Sequence, residues 1–194
     1  MQRGQLSLIT VCLFLTLSVG AGALEEGYRA YEAGDYQTAM KYWLPLAKKN
    51  DADAMFNLGL LYKNGLGVKK SPRTAMKWFK QAASYGSADA AYNLGVMYLD
   101  GEAGYPSKKD ALYWWKQAAE YGHAESQYNY GVMLAYGNGT DKDVLAAIAW
   151  WKKAARQGNQ NAVEALIKTY SQGLFGQTPN AAEAKYWSKF RSQH

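Results

Sequence analysis

The side chains that usually carry out nucleophilic or metal chemistry are scarce in this chain. Its 194 residues include two histidines, His123 and His194, and one cysteine, Cys12. A catalytic nucleophile needs a neighbouring base, and a zinc site needs about four grouped ligands. Cys12 lies in an apolar N-terminal run, His194 is the last residue, and His123 falls between two repeated segments, where a loop is expected. We therefore expect no enzyme, no metal site and no cofactor.

The acidic pairs and the glycine-rich segments are explained by helix ends. Asp51/Asp53 and Glu25/Glu26 stand where helices are predicted to begin, and negative charge stabilises a helix N-terminus. Gly65 and Gly67 follow a predicted helix, whereas a nucleotide-binding glycine motif follows a strand. These residues predict structure rather than catalysis.

Three asparagines are better candidates for a binding function, because they recur at a spacing of 36 residues: Asn57, Asn93 and Asn129. Asparagine is a mediocre residue for a helix interior. One interpretation is that the amides hydrogen-bond the backbone of an extended partner peptide. The other is structural, with the amides capping a neighbouring turn or bridging two repeats.

Two further columns flank these asparagines. An aromatic column precedes them, and an aliphatic column lies one helical turn beyond it; their members are Phe56, Tyr92 and Tyr128, and Leu60, Val96 and Val132. Aromatic residues anchor many protein interfaces. An aromatic stripe at helical spacing is also typical of a core, so both interpretations stay open.

These columns belong to a repeat of 36 residues that occupies 52–87, 88–123 and 124–159 without a gap. A degenerate opening unit at 25–51 and a closing unit at 160–194 flank it. Fixed-period self-similarity of this length is the signature of a solenoid. We predict an all-α fold, a right-handed α-solenoid of about five helix-turn-helix units over residues 24–194.

Within each unit we predict a helix A and a helix B, at about 52–64 and 72–85 in the first full unit. Gly65 is placed to end helix A, and Ser71 with Pro72 to begin helix B. In the opening unit, Pro45 predicts a kink or a broken turn, and Asn50 takes the place of a capping glycine.

A glycine recurs in the middle of helix A, although glycine there costs about 0.5–1 kcal/mol relative to alanine. We predict that a large ring of helix B packs against each bare backbone, and we assign it to the repeat tryptophan. The glycines and tryptophans are Gly59, Gly95 and Gly131, and Trp78, Trp114 and Trp150.

Residues 1–23 have the layout of a secretory signal peptide. Arg3 precedes an apolar run, and Ala21-Gly22-Ala23 forms a small-residue cleavage site. The run is short for a membrane-spanning helix, so an uncleaved anchor fits less well. Lipid attachment at Cys12 fits poorly too, because Cys12 lies inside the apolar run. We expect a periplasmic or secreted protein with no stable membrane span after signal removal.

The formal net charge is +6. Such a charge could attract nucleic acid, anionic lipid or an acidic polymer. Export argues against nucleic acid, and the lysine pairs are spread along the chain near predicted helix ends. A solvated surface explains them more simply.

The unit 52–87 resembles the Sel-1-like repeat, a relative of the tetratricopeptide repeat. The matching residues are Ala52, Ala54, Asn57, Leu58, Gly59, Tyr62, Gly65, Gly67, Val68, Ala75, Trp78, Phe79, Ala82, Ala83 and Gly86. The second and third units depart from the pattern at Gly104, Tyr130 and Leu134. The opening unit is more similar to a tetratricopeptide half-unit. A cysteine-rich branch of the family has been associated with β-lactam binding, but its paired cysteines are absent here.

This resemblance implies an adaptor whose helix-A surfaces line a concave groove for a partner peptide or protein. Together with the signal peptide it implies a bacterial envelope or secreted setting. The asparagine, aromatic and aliphatic columns would line that groove. The alternative is a cell-wall-directed hydrolase, or a binder of an anionic wall ligand, which location and charge alone suggest.

Overall fold

The computed structural model describes residues 22–102 and 104–191. These residues form helices, turns and loops, and no strand occurs among them. The predicted signal peptide lies almost wholly outside the described residues. In the described part of the chain, no helix is both long and apolar enough to span a bilayer. The chain divides after Tyr85 into two compact units.

In the first unit, the described residues, 22–85, form four helices. Residues 22–32 are helical (α1), and α2 (Tyr36–Ala47), α3 (Ala52–Asn64) and α4 (Pro72–Ser84) follow. Helix α3 packs against both α2 and α4. The helix pairs of the opening unit and of the first full repeat are therefore as predicted.

In the second unit, residues 86–102 and 104–191 form six α-helices: α5 (Ala88–Asp100), α6 (Lys108–Glu120), α7 (Ala124–Tyr136), α8 (Val144–Arg156), α9 (Gln160–Gln172) and α10 (Ala181–Arg191). A short 3-10 helix, Leu174–Gly176, joins the last two. Each α-helix packs against the next one along the chain. The all-α repeat architecture predicted from the sequence is confirmed.

Local capping explains why the A helices α3, α5, α7 and α9 all have 13 residues. Each begins after a residue whose side chain accepts a hydrogen bond from the backbone N–H three residues later: Asp51, Ser87, His123 and Asn159. Each ends at a glycine with left-handed backbone, Gly65, Gly101, Gly137 and Gly173.

The opening unit corrects part of one prediction. Helix α2 runs without interruption to Ala47, so the broken turn predicted at Pro45 does not occur, whereas a kink there stays a prediction. Pro45 lies near the end of the helix, and only two residues follow it there. Asn50 has a φ of 67°, the left-handed conformation that its position required.

The mid-helix glycines do receive rings, but the prediction named the wrong column. A Cβ on Gly59 would lie 2.6 Å from Cδ1 of Phe79, and one on Gly131 would lie 2.7 Å from Cδ1 of Trp151. The predicted tryptophans, Trp78, Trp114 and Trp150, are only half-buried. One residue turns the side chain by about 100° around a helix, so the next column faces helix A instead.

The buried ring column repeats through all five helix pairs. Its members, spaced 36 residues apart, are Trp43, Phe79, Trp115, Trp151 and Trp187, and each is at most 5% exposed. The indole N–H of Trp151 donates to the Tyr128 carbonyl at 3.1 Å. Trp187 donates within its own helix, to Glu183 at 3.0 Å, in the unit where Ile167 replaces the glycine.

Candidate functional site

The second unit contains a pocket of about 410 Å³ between helices α7 and α9. Its lining residues are Tyr128, Val132, Tyr136, Trp151, Asn161, Glu164, Ala165, Lys168, Leu174 and Phe175. Two of the predicted site residues, Tyr128 and Val132, are therefore brought together in one concave site.

Helical spacing places the residues of each pocket wall on one face of a helix. Tyr128, Val132 and Tyr136 are four residues apart, so they form one stripe along α7. The opposite wall follows the same rule on α9, where Glu164 and Lys168 are one turn apart. Trp151 lies behind the α7 wall and is 1% exposed. The pocket thus has aromatic residues on one side and charged residues on the other.

Phe175 also lines the pocket, although no sequence pattern singled it out. Its ring centroid lies 5.0 Å from that of Tyr136, at an interplanar angle of 90°, and 5.9 Å from that of Trp151. Both distances suit attractive aromatic contact. The Lys142 ammonium lies 5.7 Å from the Phe175 ring centroid and 3.4 Å from the Phe175 carbonyl oxygen.

The backbone of Phe175 is unusual as well. Its φ of 60° is left-handed, a conformation that non-glycine residues rarely adopt. At the equivalent loop position other repeats have Gly67 and Gly139, with φ of 65° and 78°. A register count from the capping glycine could have found this residue, since a phenylalanine stands where the repeat has glycine.

The charged side of the pocket has one carboxylate and one ammonium group in its lining, Glu164 and Lys168. Glu164 is paired with Arg191, which offsets its charge. Lys168 is exposed, and no ion pair of it is found among residues 22–102 and 104–191. Lys142 lies beside Phe175, outside the lining, and is a second positive group near the pocket. The pKa of Tyr128 is raised, first by burial and then by the Glu125 carboxylate, so its phenol stays neutral.

The three asparagines have different surroundings. Asn57 is 6% exposed, and its amide nitrogen finds no hydrogen-bond partner in the described part of the chain. Asn93 donates to the Asp89 carbonyl of its own helix at 2.9 Å. Asn129 is half-buried and is not among the residues that line the pocket. Whether the three act as a ladder stays a prediction.

The other predicted residues pack locally. The Phe56 ring lies 5.7 Å from that of Phe79, centroid to centroid, and the Tyr92 ring lies 4.8 Å from that of His123. Leu60 and Val96 are half-buried. These contacts resemble core packing more than an open binding wall.

His123 is the N-cap of α7, at the repeat boundary where a loop was expected. Its Nδ1 accepts the Ser126 backbone N–H at 3.1 Å, and its Nε2 lies 3.4 Å from Asp89. Burial lowers the pKa of His123, while Asp89 and Glu125 oppose that shift. A neutral imidazole that holds a helix end is a structural group.

A second pocket, of about 360 Å³, lies between α8 and α10, with Lys152 and Arg156 in its lining. Lys152 is paired with Glu183 at 3.3 Å, so part of the positive charge is already offset. Residues 22–102 and 104–191 hold no cluster of three or more potential metal ligands of the histidine, cysteine and carboxylate types. Neither observation favours a particular reaction.

Successive helix pairs, each with a buried ring at the same repeat position, define this chain as an α-helical repeat protein. The sequence profile of the Sel1 repeat matches residues 52–87, 88–123, 124–159 and 168–189, more than half of the chain. The chain therefore belongs to the Sel1 repeat family. Proteins of this family are typically protein-interaction scaffolds. The opening unit lies outside the matched residues.

Solved structures agree with this assignment. A Sel1 repeat protein from Oxalobacter formigenes is 30% identical, with a TM-score of 0.75 over 90% of this chain and 70% of its own. A protective antigen of uropathogenic Escherichia coli with an SLR fold is 31% identical, with a TM-score of 0.82 over 97% of this chain. This chain spans 41% of the length of that antigen.

A more distant structure, the cysteine-rich protein B of Helicobacter pylori, shares the fold alone. It is 18% identical, with a TM-score of 0.54 over 67% of this chain and 93% of its own. No curated protein matches the chain significantly.

Proposed function

We propose that this protein is a non-catalytic scaffold of the bacterial envelope or secreted space, and that the α7–α9 pocket holds part of a partner protein. The observation that carries the proposal is the pocket itself. It joins exposed and half-buried aromatic residues of α7 to polar residues of α9, and aromatic pockets with a polar rim are common in protein interfaces.

The sequence supports the export part of this proposal, and the similar structures support only its bacterial part. Residues 1–23 have the charge, the apolar run and the small-residue site of an export signal. Two similar structures come from Oxalobacter formigenes and uropathogenic Escherichia coli. Fractionation of native cells tests this part, since the mature chain should start near Leu24 and accompany periplasmic or secreted markers.

A photocrosslinking experiment tests the pocket. Tyr136 is 64% exposed at the pocket, and Tyr113 on α6 is 54% exposed and does not line it. Each is replaced in turn by a photoreactive phenylalanine analogue, and native cells are illuminated. We expect a discrete protein adduct from position 136 and none from position 113. The same adduct from both positions, or none from position 136, would reject the pocket as the binding site.

The asparagine column gives an independent test of the wider groove. A triple Asn57/Asn93/Asn129→Ala variant, confirmed as folded by circular dichroism, should hold less of the crosslinked partner than wild type. Equal capture would leave the asparagines with a structural role and the pocket as the binding site.

A further inference from the structure

We propose that the α7–α9 pocket selects one large apolar side chain, preferably aromatic, from an acidic segment of the partner. This inference rests on the proposed function and adds the chemistry of the occupant. Three observations carry it: the lining of the pocket, the charge of its rim, and the conformation of Phe175.

The lining sets the size and polarity of the occupant. A volume of about 410 Å³ lies near the lower end of the range, about 300–1,000 Å³, that is typical of ligand pockets. This is room for one large side chain with a short length of backbone. Tyr128, Tyr136, Trp151 and Phe175 supply ring edges and faces, against which an aromatic side chain gains more than an aliphatic one.

The rim sets the charge of the flanking residues. Arg191 already offsets Glu164, so the remaining positive groups are Lys168 in the lining and Lys142 beside Phe175. We expect these groups to attract carboxylates that flank the buried side chain. Basic flanking residues would meet repulsion instead, because like charges at an interface are unfavourable.

Phe175 supports the assignment of a binding role. Other repeats have glycine at this loop position, and a Cβ on Gly139 would lie only 2.8 Å from the Lys108 backbone. Phenylalanine must instead adopt a left-handed backbone, which costs free energy relative to glycine. The ring that results forms one wall of the pocket, between Tyr136 and Trp151. Local strain that shapes a concave site is a typical feature of binding sites.

The test uses defined peptides, blocked at both ends, with the purified mature chain. The first carries tryptophan between two glutamates on each side; the second replaces tryptophan by alanine; the third replaces the glutamates by lysines. Binding is followed by two-dimensional ¹⁵N NMR. We expect saturable shifts at the Trp151 indole N–H and in α7 and α9 with the first peptide. The alanine peptide should bind about 10-fold more weakly or worse, since the occupant loses its apolar burial.

Charge reversal at the rim separates this inference from nonspecific attraction. Lys168→Glu should weaken the first peptide several-fold, whereas Lys77→Glu on α4, with the same change in net charge, should leave its affinity unchanged. Lys168 and Lys77 are both exposed, so neither change should disturb folding. Phe175→Gly should weaken binding while the helices stay intact, because glycine suits the left-handed backbone.

Several results would overturn the inference. These are equal binding of the glutamate and lysine peptides, equal binding of the tryptophan and alanine peptides, shifts confined to other helices, or no shift at millimolar peptide. The proposed function fails separately, through the crosslinking result at Tyr136. A partner that crosslinks there through a basic or wholly polar segment would leave the scaffold standing and overturn only the choice of occupant.

Discussion

Gly131→Ala is the sharpest test of how the repeat is held together. Gly131 lies within α7, and a Cβ there would stand 2.5 Å from Nε1 and 2.7 Å from Cδ1 of Trp151, and 3.1 Å from the Ala147 carbonyl oxygen. Real Cβ atoms essentially never approach another heavy atom more closely than 3.0 Å. Trp151 is 1% exposed and hydrogen-bonded to Tyr128, so its ring has little freedom to move.

Two opposing effects decide whether Gly131→Ala raises or lowers the free energy of unfolding. Alanine favours a helix over glycine by about 1 kcal/mol. Overpacking a tight core costs about 1–3 kcal/mol, and displacement of the indole from the Tyr128 carbonyl forfeits about 1 kcal/mol more. We expect the free energy of unfolding to fall by about 1–3 kcal/mol. If the glycine were only a tolerated weak point, the same substitution would raise stability by about 1 kcal/mol.

The assay is urea unfolding followed by circular dichroism, with hydrogen exchange used to place the change in α7 and α8. The control is the same substitution in a Trp151→Leu background, where the ring is gone and alanine should be neutral or favourable. The coupling between the two positions should reach about 2 kcal/mol. A more stable single variant, or no coupling, would refute the close-contact explanation.

Two further predictions concern single groups. Trp151→Phe should lower the free energy of unfolding by about 1 kcal/mol more than Trp115→Phe does. The reason is that Trp151 loses a hydrogen bond, whereas the Trp115 indole nitrogen is buried without a partner in the described chain. Equal losses of stability in urea unfolding would contradict this. Burial lowers the pKa of His123 despite Asp89 and Glu125, so the unfolded chain binds its proton more readily and stability falls as pH drops through that depressed pKa. Protonation also removes the Nδ1 acceptor of the Ser126 N–H, so His123→Asn should make stability less dependent on pH while keeping a helix cap. Matching profiles of stability against pH for both proteins between pH 7 and pH 4 would count against this.

Much of the local structure could be read directly from the sequence. Ser71 with Pro72, the glycine after each A helix and the 36-residue period predicted helix boundaries that the structure places within about two residues. These signals are reliable because a cap depends on a side chain and a backbone N–H only three residues away. No distant contact is needed to decide them.

The identity of the ring that packs on each glycine, in contrast, could not be predicted from the sequence. The mid-helix glycines correctly predicted a ring, yet Trp78 and Phe79 are adjacent, and both are large enough to fill the contact. Which of them faces α3 depends on how α4 is rotated about its axis. A pattern within one helix does not contain that rotation.

The candidate site, too, was predicted in part from the sequence and decided in part by the tertiary structure. Composition and period alone determined that this chain is an all-α repeat protein with few residues suited to catalysis. Tertiary structure decided that Tyr128 and Val132 share a pocket with Lys168 and Phe175. The physical reason is range: helix formation and capping act over a few residues, whereas the pocket joins side chains from α7, α8, α9 and the 3-10 helix, whose meeting is set by packing alone.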